Sequence, residues 1–197
     1  MLYSSCRQEV IVDAIDTETI PVQVVDNMEF IQSDKGSINM RMTSVRMEHY
    51  EFVKDSLQQS YDLYTDGFHV EMYTPDGALE TEVNSQQAKH ITTSGRESWS
   101  AFGDVVITNH IKQEVVTSDT VYWNQALKQI HTDCYVKITS PSGVMQGYGL
   151  ISDERAREAT LTRPFDSYSV MQDSTSRQMV VDTVNFIGPP AKPFDHK

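Results

Sequence analysis

Six histidines are the side chains of this sequence best suited to hold a metal ion or to transfer protons near neutral pH. They are His49, His69, His90, His110, His131 and His196. A helical zinc site requires a spacing such as His-Glu-x-x-His, and the sequence contains no such motif. We therefore interpret the histidines as ordinary surface residues and expect neither a metal nor another cofactor.

Carboxylates are the second candidate for chemistry, because a pair of them flanking a sugar could hydrolyse a glycosidic bond. Glu80 and Glu82 share one face of a predicted strand, and Asp104, Asp119 and Asp133 fall close to predicted strands. Acidic residues on the solvated face of a sheet have the same pattern. We interpret all five as solvated strand residues.

The two cysteines suggest two different roles. Cys134 lies in a predicted strand without an adjacent histidine pattern, which predicts a buried thiol and not a nucleophile. Cys6 follows Met-Leu-Tyr-Ser-Ser, and small residues directly before a cysteine resemble a bacterial lipoprotein processing site. We predict Cys6 as a lipid anchor, with a plain thiol in a flexible tail as the alternative.

Composition narrows the class of protein further. The 197 residues include 28 acidic and 16 basic side chains, for a formal net charge of −12. A phosphate backbone would be repelled by this charge, so no nucleic-acid partner is expected. There is no apolar run of eighteen residues, no phosphate loop and no dinucleotide fingerprint in the sequence.

Alternating apolar and polar residues dominate the middle of the chain and predict an all-β fold. Turn residues separate the alternating runs at residues 33–36, 74–77 and 140–143. A phase shift near Thr43 and Ser44 predicts a bulge. Such strands must close into a sandwich, a jelly roll or a barrel to bury their apolar face.

The same pattern divides the chain into three parts. Residues 1–27 are predicted to form an N-terminal tether, residues 28–167 a single β domain, and residues 168–197 a partly disordered C-terminal extension. The only helix-like stretch, residues 153–159, is too short to form more than a turn or two of helix.

Several motifs within residues 67–151 resemble the LptC/OstA-like family of lipopolysaccharide-export proteins. Residues 103–109, Gly-Asp-Val-Val-Ile-Thr-Asn, are similar to the family's Gly-x-Val-x-Val-x-Asn strand. Residues 118–124, Ser-Asp-Thr-Val-Tyr-Trp-Asn, resemble its Thr-Glu-x-Leu-x-Trp-Asp pattern with four conservative departures. After the strand at residues 130–138, residues 147–150 match a Gly-x-Gly-Leu ending. Order and close spacing give the resemblance its specificity.

The resemblance implies an open-ended, twisted β-jelly roll in the periplasm, tethered to the inner membrane. Such a protein is not an enzyme. It receives the acyl chains of lipid A from an inner-membrane Lpt ABC transporter and passes them to an LptA-like periplasmic bridge through edge-strand pairing. Alternation within the strands predicts the lipid-binding inward face as Val70, Met72, Val105, Ile107, Val121, Trp123, Val136 and Ile138.

Two alternatives remain open on the sequence. A periplasmic glycan-binding module or glycan-active enzyme would use Trp99 or Trp123 as a sugar platform, which requires an indole ring in water. A soluble LptA-like bridging protein is the other alternative, and the Cys6 anchor signal disfavours it.

Overall fold

A computed structural model of the chain describes residues 19–54, 57–93, 95–172 and 179–184. Within these residues every regular element is a β-strand, so the predicted all-β class is confirmed. The strands are β1 (Gln23–Asp34), β2 (Ser37–Lys54), β3 (Leu57–Tyr73), β4 (Leu79–Ser85), β5 (Gln87–Thr93), β6 (Arg96–Asn109), β7 (Glu114–Asn124), β8 (Gln129–Ser140), β9 (Gly143–Asp153), β10 (Ala159–Gln172) and β11 (Met179–Val184).

All of these strands belong to one antiparallel sheet. Apart from β4 and β5, each strand pairs with the strands that precede and follow it in sequence. The pair β4 and β5 occupies a single position, because both segments lie between β3 and β6 and only Gln86 separates them. Antiparallel neighbours need only tight turns, which explains the predicted turns at Lys35–Gly36 and after Thr74. The turn at residues 141–142 is also present.

Several strands are much longer than the five or so residues that the alternation predicts. β2 has 18 residues and β3 has 17, because a bulge lets each strand continue where its alternating pattern changes phase. The predicted bulge at Ser44 is one of these register shifts. β1 begins at Gln23, within the predicted tether, and β10 and β11 cover part of the predicted C-terminal extension.

The bulges line up across the sheet. Residues with positive φ mark the same level on successive strands, at Asn27, Asp66–Gly67, Gly103–Asp104 and Gly149. Register shifts fall at this level in β2, β6, β7 and β8, whereas the shift in β10 lies opposite Gln146 and Val144. We call this row of irregular residues the fold line, because bulges bend a strand and the sheet folds over itself there.

Buried hydroxyl groups satisfy the backbone carbonyls that the bulges free from the ladder. Ser44 Oγ lies 3.0 Å from the Arg46 carbonyl oxygen, and Ser85 Oγ donates to the Gln87 carbonyl at 2.9 Å. Thr132 Oγ1 donates to the Thr120 carbonyl at 2.6 Å. The fold line is therefore a hydrogen-bonded feature and not a gap in the sheet.

Folding at this line creates two facing halves. The first half contains residues 28–44, 67–85, 105–118, 134–148 and 163–169, and the second contains residues 46–65, 87–102, 120–132 and 150–161. Apolar side chains of both halves form one core cluster, in which Val105, Ile107, Val136 and Leu150 are at most 2% exposed. The helix-like stretch at residues 153–159 is instead the turn between β9 and β10.

Candidate functional site

An apolar cavity lies between the two halves of the sheet. Its volume is about 60 Å³. The first half supplies one wall and the second half the other, with these lining residues: Met42, Phe68, Val70, Met72, Val83 and Ile107 from the first, and Trp99, Ser100, Ala101, Val121, Trp123 and Ile130 from the second. Only apolar surface of any extent faces this space, so it suits a hydrocarbon chain.

The predicted inward-face residues all lie in or against the core. Val70, Met72, Val105, Ile107, Val121, Val136 and Ile138 are buried, and Trp123 packs against them half-buried. Five of the eight line the cavity, namely Val70, Met72, Ile107, Val121 and Trp123. Val105, Val136 and Ile138 belong to the core cluster without lining the cavity.

Several residues that line the cavity are absent from the inward face that alternation predicted. Phe68 precedes Val70 on the same strand face, and Ala101 lies on the Trp99–Ile107 alternating stretch, so a signal for both was present. Met42 and Trp99 face the same space. The Trp99 ring packs against Tyr64 and Phe68, with centroids 5.7 and 6.3 Å away, and these contacts hold it at the wall of the cavity.

The two tryptophans sit side by side. Trp99 and Trp123 are directly paired residues of β6 and β7, and their ring centroids are 6.2 Å apart. Both rings line the cavity, and both indole Nε1 atoms are shielded from water without a hydrogen-bond partner. Both rings therefore face the apolar cavity, although each is only half-buried.

A polar network lies beside Trp99. Asp62 bridges two histidines, with its Oδ1 2.5 Å from His49 Nδ1 and its Oδ2 3.2 Å from His90 Nδ1. The His90 ring stacks on Trp99 at a centroid distance of 4.2 Å. Glu51 lies 3.2 Å from the other nitrogen of His49.

This network shifts the pKa values of His49 and Asp62. Burial by itself would lower the pKa of His49, but the carboxylates of Asp62 and Glu51 outweigh it and raise that pKa. Burial would likewise raise the pKa of Asp62, yet hydrogen bonds from His90 and His49 lower it. The contacts of Asp62 with His49 and His90 connect β2, β3 and β5 in the second half of the sheet.

The carboxylates considered for glycoside hydrolysis are engaged in separate contacts. Glu80 is only 4% exposed and pairs with Arg155 at 2.7 Å and with Arg157. Glu82 accepts from Asn84 at 2.9 Å. Asp104 accepts from Gln86 at 2.7 Å, Asp119 accepts from Thr120 at 2.9 Å, and Asp133 is exposed at the fold line.

The pairing of Glu80 is part of a latch, by which we mean the contacts between the β9–β10 turn (residues 153–158) and the ends of β3, β4 and β6. Arg155 donates to the Tyr73 carbonyl at 3.0 Å, and Thr81 and Asn109 donate to the Arg155 carbonyl. The latch ties the second half of the sheet to the first. The Arg157 hydrogen bond is the main reason that the pKa of Glu80 is lowered.

Residues that carry the family resemblance have clear structural roles. Asn109, at the end of the first motif, is 2% exposed and bonds the latch turn. Asn124, at the end of the second, accepts from the Leu127 amide at 3.1 Å and shapes the β7–β8 turn. A Cβ on Gly147 would lie 2.6 Å from the Arg163 carbonyl oxygen, so β10 approaches too closely for a side chain there.

The cysteines and the histidines take no part in a metal or disulfide site that the structure describes. Cys134 is a free thiol at the fold line, and it is half-buried where the sequence predicted a buried thiol, because the bulge between Thr132 and Tyr135 interrupts the alternation of β8. Within the described ranges no group of three or more His, Cys, Asp or Glu is arranged to hold a metal ion. Cys6 and His196 lie outside the described residues.

Comparison with known proteins adds no relative. No protein-family model matches the chain, and no curated protein matches it. In the described part of the chain no helix has the length and apolar character needed to cross a membrane.

Proposed function

We propose that this protein is a lipopolysaccharide-export adaptor that catalyses no reaction and binds the acyl chains of lipid A between the two halves of its folded sheet. One observation carries the proposal: an almost wholly apolar cavity lies between the halves and is lined by both tryptophans. In this proposal the folded sheet is the open-ended, twisted jelly roll that the resemblance implies.

The size of the cavity determines how lipid would enter. At about 60 Å³ it has the volume of roughly two molecules of liquid water, well below the ~150 Å³ of a cavity that binds benzene. The facing halves must therefore separate to admit an acyl chain. Methylenes of the chain would then replace side-chain contacts of similar energy, so the cost of parting stays low.

The sheet edges support transfer between proteins. Among the described strands, β1 and β11 each pair with a single neighbour, which leaves one row of backbone donors and acceptors open on each. A partner strand could satisfy those groups by extending the sheet. We propose that one edge meets the inner-membrane Lpt ABC transporter and the other an LptA-like bridge, in the periplasm, with Cys6 as the anchor.

The position of the tryptophans weighs against the glycan-module alternative in its original form. That alternative required Trp99 or Trp123 to lie in water, whereas both rings line the internal cavity. A sugar that stacked on the cavity-facing side of either ring would need the sheet to open first.

Photocrosslinking in cells tests the proposal. Benzoyl-phenylalanine would be introduced at Val121, which lines the cavity, and at Lys137, which is exposed on β8, in cells that make labelled lipopolysaccharide. We expect lipid adducts at position 121 and none at position 137. Equal labelling at both positions, or no adduct at 121 in a folded protein, would refute lipid binding inside the sheet.

A further inference from the structure

A second, polar groove adjoins the apolar cavity. It has a volume of about 360 Å³ and shares two walls with the cavity, Met72 and Trp123. Its remaining lining includes the amides Gln32, Asn39 and Gln125 and the charged residues Lys128, Glu154 and Arg155. A ligand with an apolar chain in the cavity would thus place its polar end in this groove.

The groove is built from turns that hydrogen bonds hold in place. The Glu154 amide donates to the Lys128 carbonyl at 3.0 Å, which joins the β9–β10 turn to the β7–β8 turn. The Lys128 amide donates to the Gln125 carbonyl at 3.2 Å. Arg155 is fixed by Glu80 and by the Tyr73 carbonyl. The turns and the Arg155 side chain are therefore positioned before any ligand arrives, which lowers the entropic cost of binding.

Charge does not select the ligand of this groove. Lys128 and Arg155 are positive, while Glu154 in the lining and Glu80 directly behind Arg155 are negative. The two signs offset each other. A phosphate or carboxylate therefore gains little from the net field, and hydrogen bonding must supply the specificity.

The unpaired atoms of the walls indicate a ligand that both donates and accepts hydrogen bonds. The side-chain oxygen of Asn39 is shielded from water and has no donor, and the Trp123 Nε1 has no acceptor. A phosphate diester can only accept. Hydroxyl groups do both, and the three amides match them with paired donors and acceptors. An aromatic wall beside such amides suits a sugar ring with one apolar and one polar face.

We propose that the polar groove binds the saccharide head of a glycolipid whose acyl chains occupy the apolar cavity. This inference rests on the proposed function and extends it, because it fixes the orientation of the lipid: the head lies at the β7–β8 and β9–β10 turns. It also predicts that the protein prefers sugar-headed lipids to other amphiphiles with the same chain.

The test uses the full chain and its own two tryptophans as the fluorescent reporters of binding. Three probes with the same twelve-carbon chain, dodecyl maltoside, dodecyl phosphocholine and dodecanoate, are titrated below their micellar concentrations. The variant Gln125→Ala/Lys128→Asn removes head contacts at an exposed turn. Lys128 has a φ of 50°, which asparagine tolerates, and Gln113→Asn at a φ of 57° in the β6–β7 turn is the matched control.

We expect the double variant to bind dodecyl maltoside about tenfold more weakly, from the loss of two hydrogen bonds. Binding of dodecanoate should not change, and Gln113→Asn should behave as the parent. An equal loss for all three probes, no loss for any, or a loss confined to dodecyl phosphocholine would overturn the saccharide assignment and leave lipid binding standing. If none of the three binds the parent protein, lipid binding itself fails, and the head-group site with it.

Discussion

Individual side chains determine what the interior of the sheet can hold. Ala101 leaves space where a larger residue would fill the cavity between the halves, and it is 8% exposed. Trp99 and Trp123 form the wall beside it. The cavity thus depends on the small side chain of Ala101 among larger neighbours. A larger residue at this position would fill part of the cavity.

Ala101→Val should separate ligand binding from folding. Two added methyl groups occupy part of the cavity, so we expect the free energy of unfolding to rise by up to about 1 kcal/mol. Acyl-chain binding should weaken at least severalfold because the space is taken. Urea unfolding and tryptophan fluorescence titration measure the two effects, with Ala78→Val in an exposed turn as the control. Unaltered lipid affinity would show that chains bind elsewhere.

His49 should make stability depend on pH. Its folded-state pKa is raised, so the stabilisation is complete below the unfolded-state pKa of about 6.5 and is lost as pH rises through the folded-state value. His49→Gln should therefore destabilise the protein more at pH 5.5 than at pH 8.5. Urea unfolding at both pH values measures the difference, and His131→Gln, on another part of the sheet, serves as the comparison. The opposite pH trend would contradict this assignment.

At the scale of whole elements, close backbone approach and the fold line shape the sheet. Gly147 in β9 lies where the Pro164 Cα of β10 would be 2.8 Å from an added Cβ. Pairing of these strands depends on that approach, because both contacting groups are backbone atoms and neither can move aside alone. The glycine of the Gly-x-Gly-Leu motif therefore has a packing role.

Gly147→Ala should destabilise the β9–β10 pair. We expect a loss of roughly 1–3 kcal/mol, the usual cost of forcing an extra methyl group into a packed site. Gly36→Asn is the control, because a Cβ at Gly36 meets nothing within 4 Å and asparagine tolerates its φ of 86°. Thermal unfolding compares the two variants. Equal melting temperatures for Gly147→Ala and the parent would mean that β10 does not lie where we describe it.

At the scale of the molecule, the latch connects halves that are distant in sequence. Glu80 and Arg157 are 77 residues apart, whereas the strand ladder joins only neighbouring elements. The buried carboxylate is stabilised by two guanidinium groups, one of them half-exposed. Loss of this contact should therefore loosen the folded sheet as a whole.

Glu80→Gln should destabilise the protein by about 1–3 kcal/mol at neutral pH. This is the usual range for hydrogen bonds to charged groups, and its lower end allows for the solvent exposure of Arg157. Because the folded-state pKa of Glu80 is lowered, its contribution is present above the unfolded-state value of about 4.3 and is lost as pH falls through the folded-state value. The difference between Glu80→Gln and the parent should thus shrink on acidification.

Urea unfolding at pH 7 and pH 3.5 measures this difference. Glu114→Gln, which removes an exposed ion pair, is the matched control because its partner Lys112 is 43% exposed. A penalty for Glu80→Gln that stays constant between the two pH values would show that the ion pair does not contribute to stability.

Local patterns in the sequence predict the secondary-structure class, most of the turns and the inward face. These features are local: alternation reports which side of a strand is apolar, and glycine with proline marks where a strand must reverse. All seven aliphatic and methionine residues of the predicted inward face are buried for this reason. Alternation predicted strand ends too early, because a bulge changes the phase of the alternation and so resembles the end of a strand.

Only the tertiary structure decided where the sheet folds and which residues meet across it. Ser85 and Thr132 look like ordinary polar strand residues, and their role depends on carbonyls that are freed by bulges. Glu80 looks solvated in the sequence, yet it is buried because a turn 75 residues away brings two arginines to it. The cavity and the polar groove arise from the same long-range contacts, which no local pattern encodes.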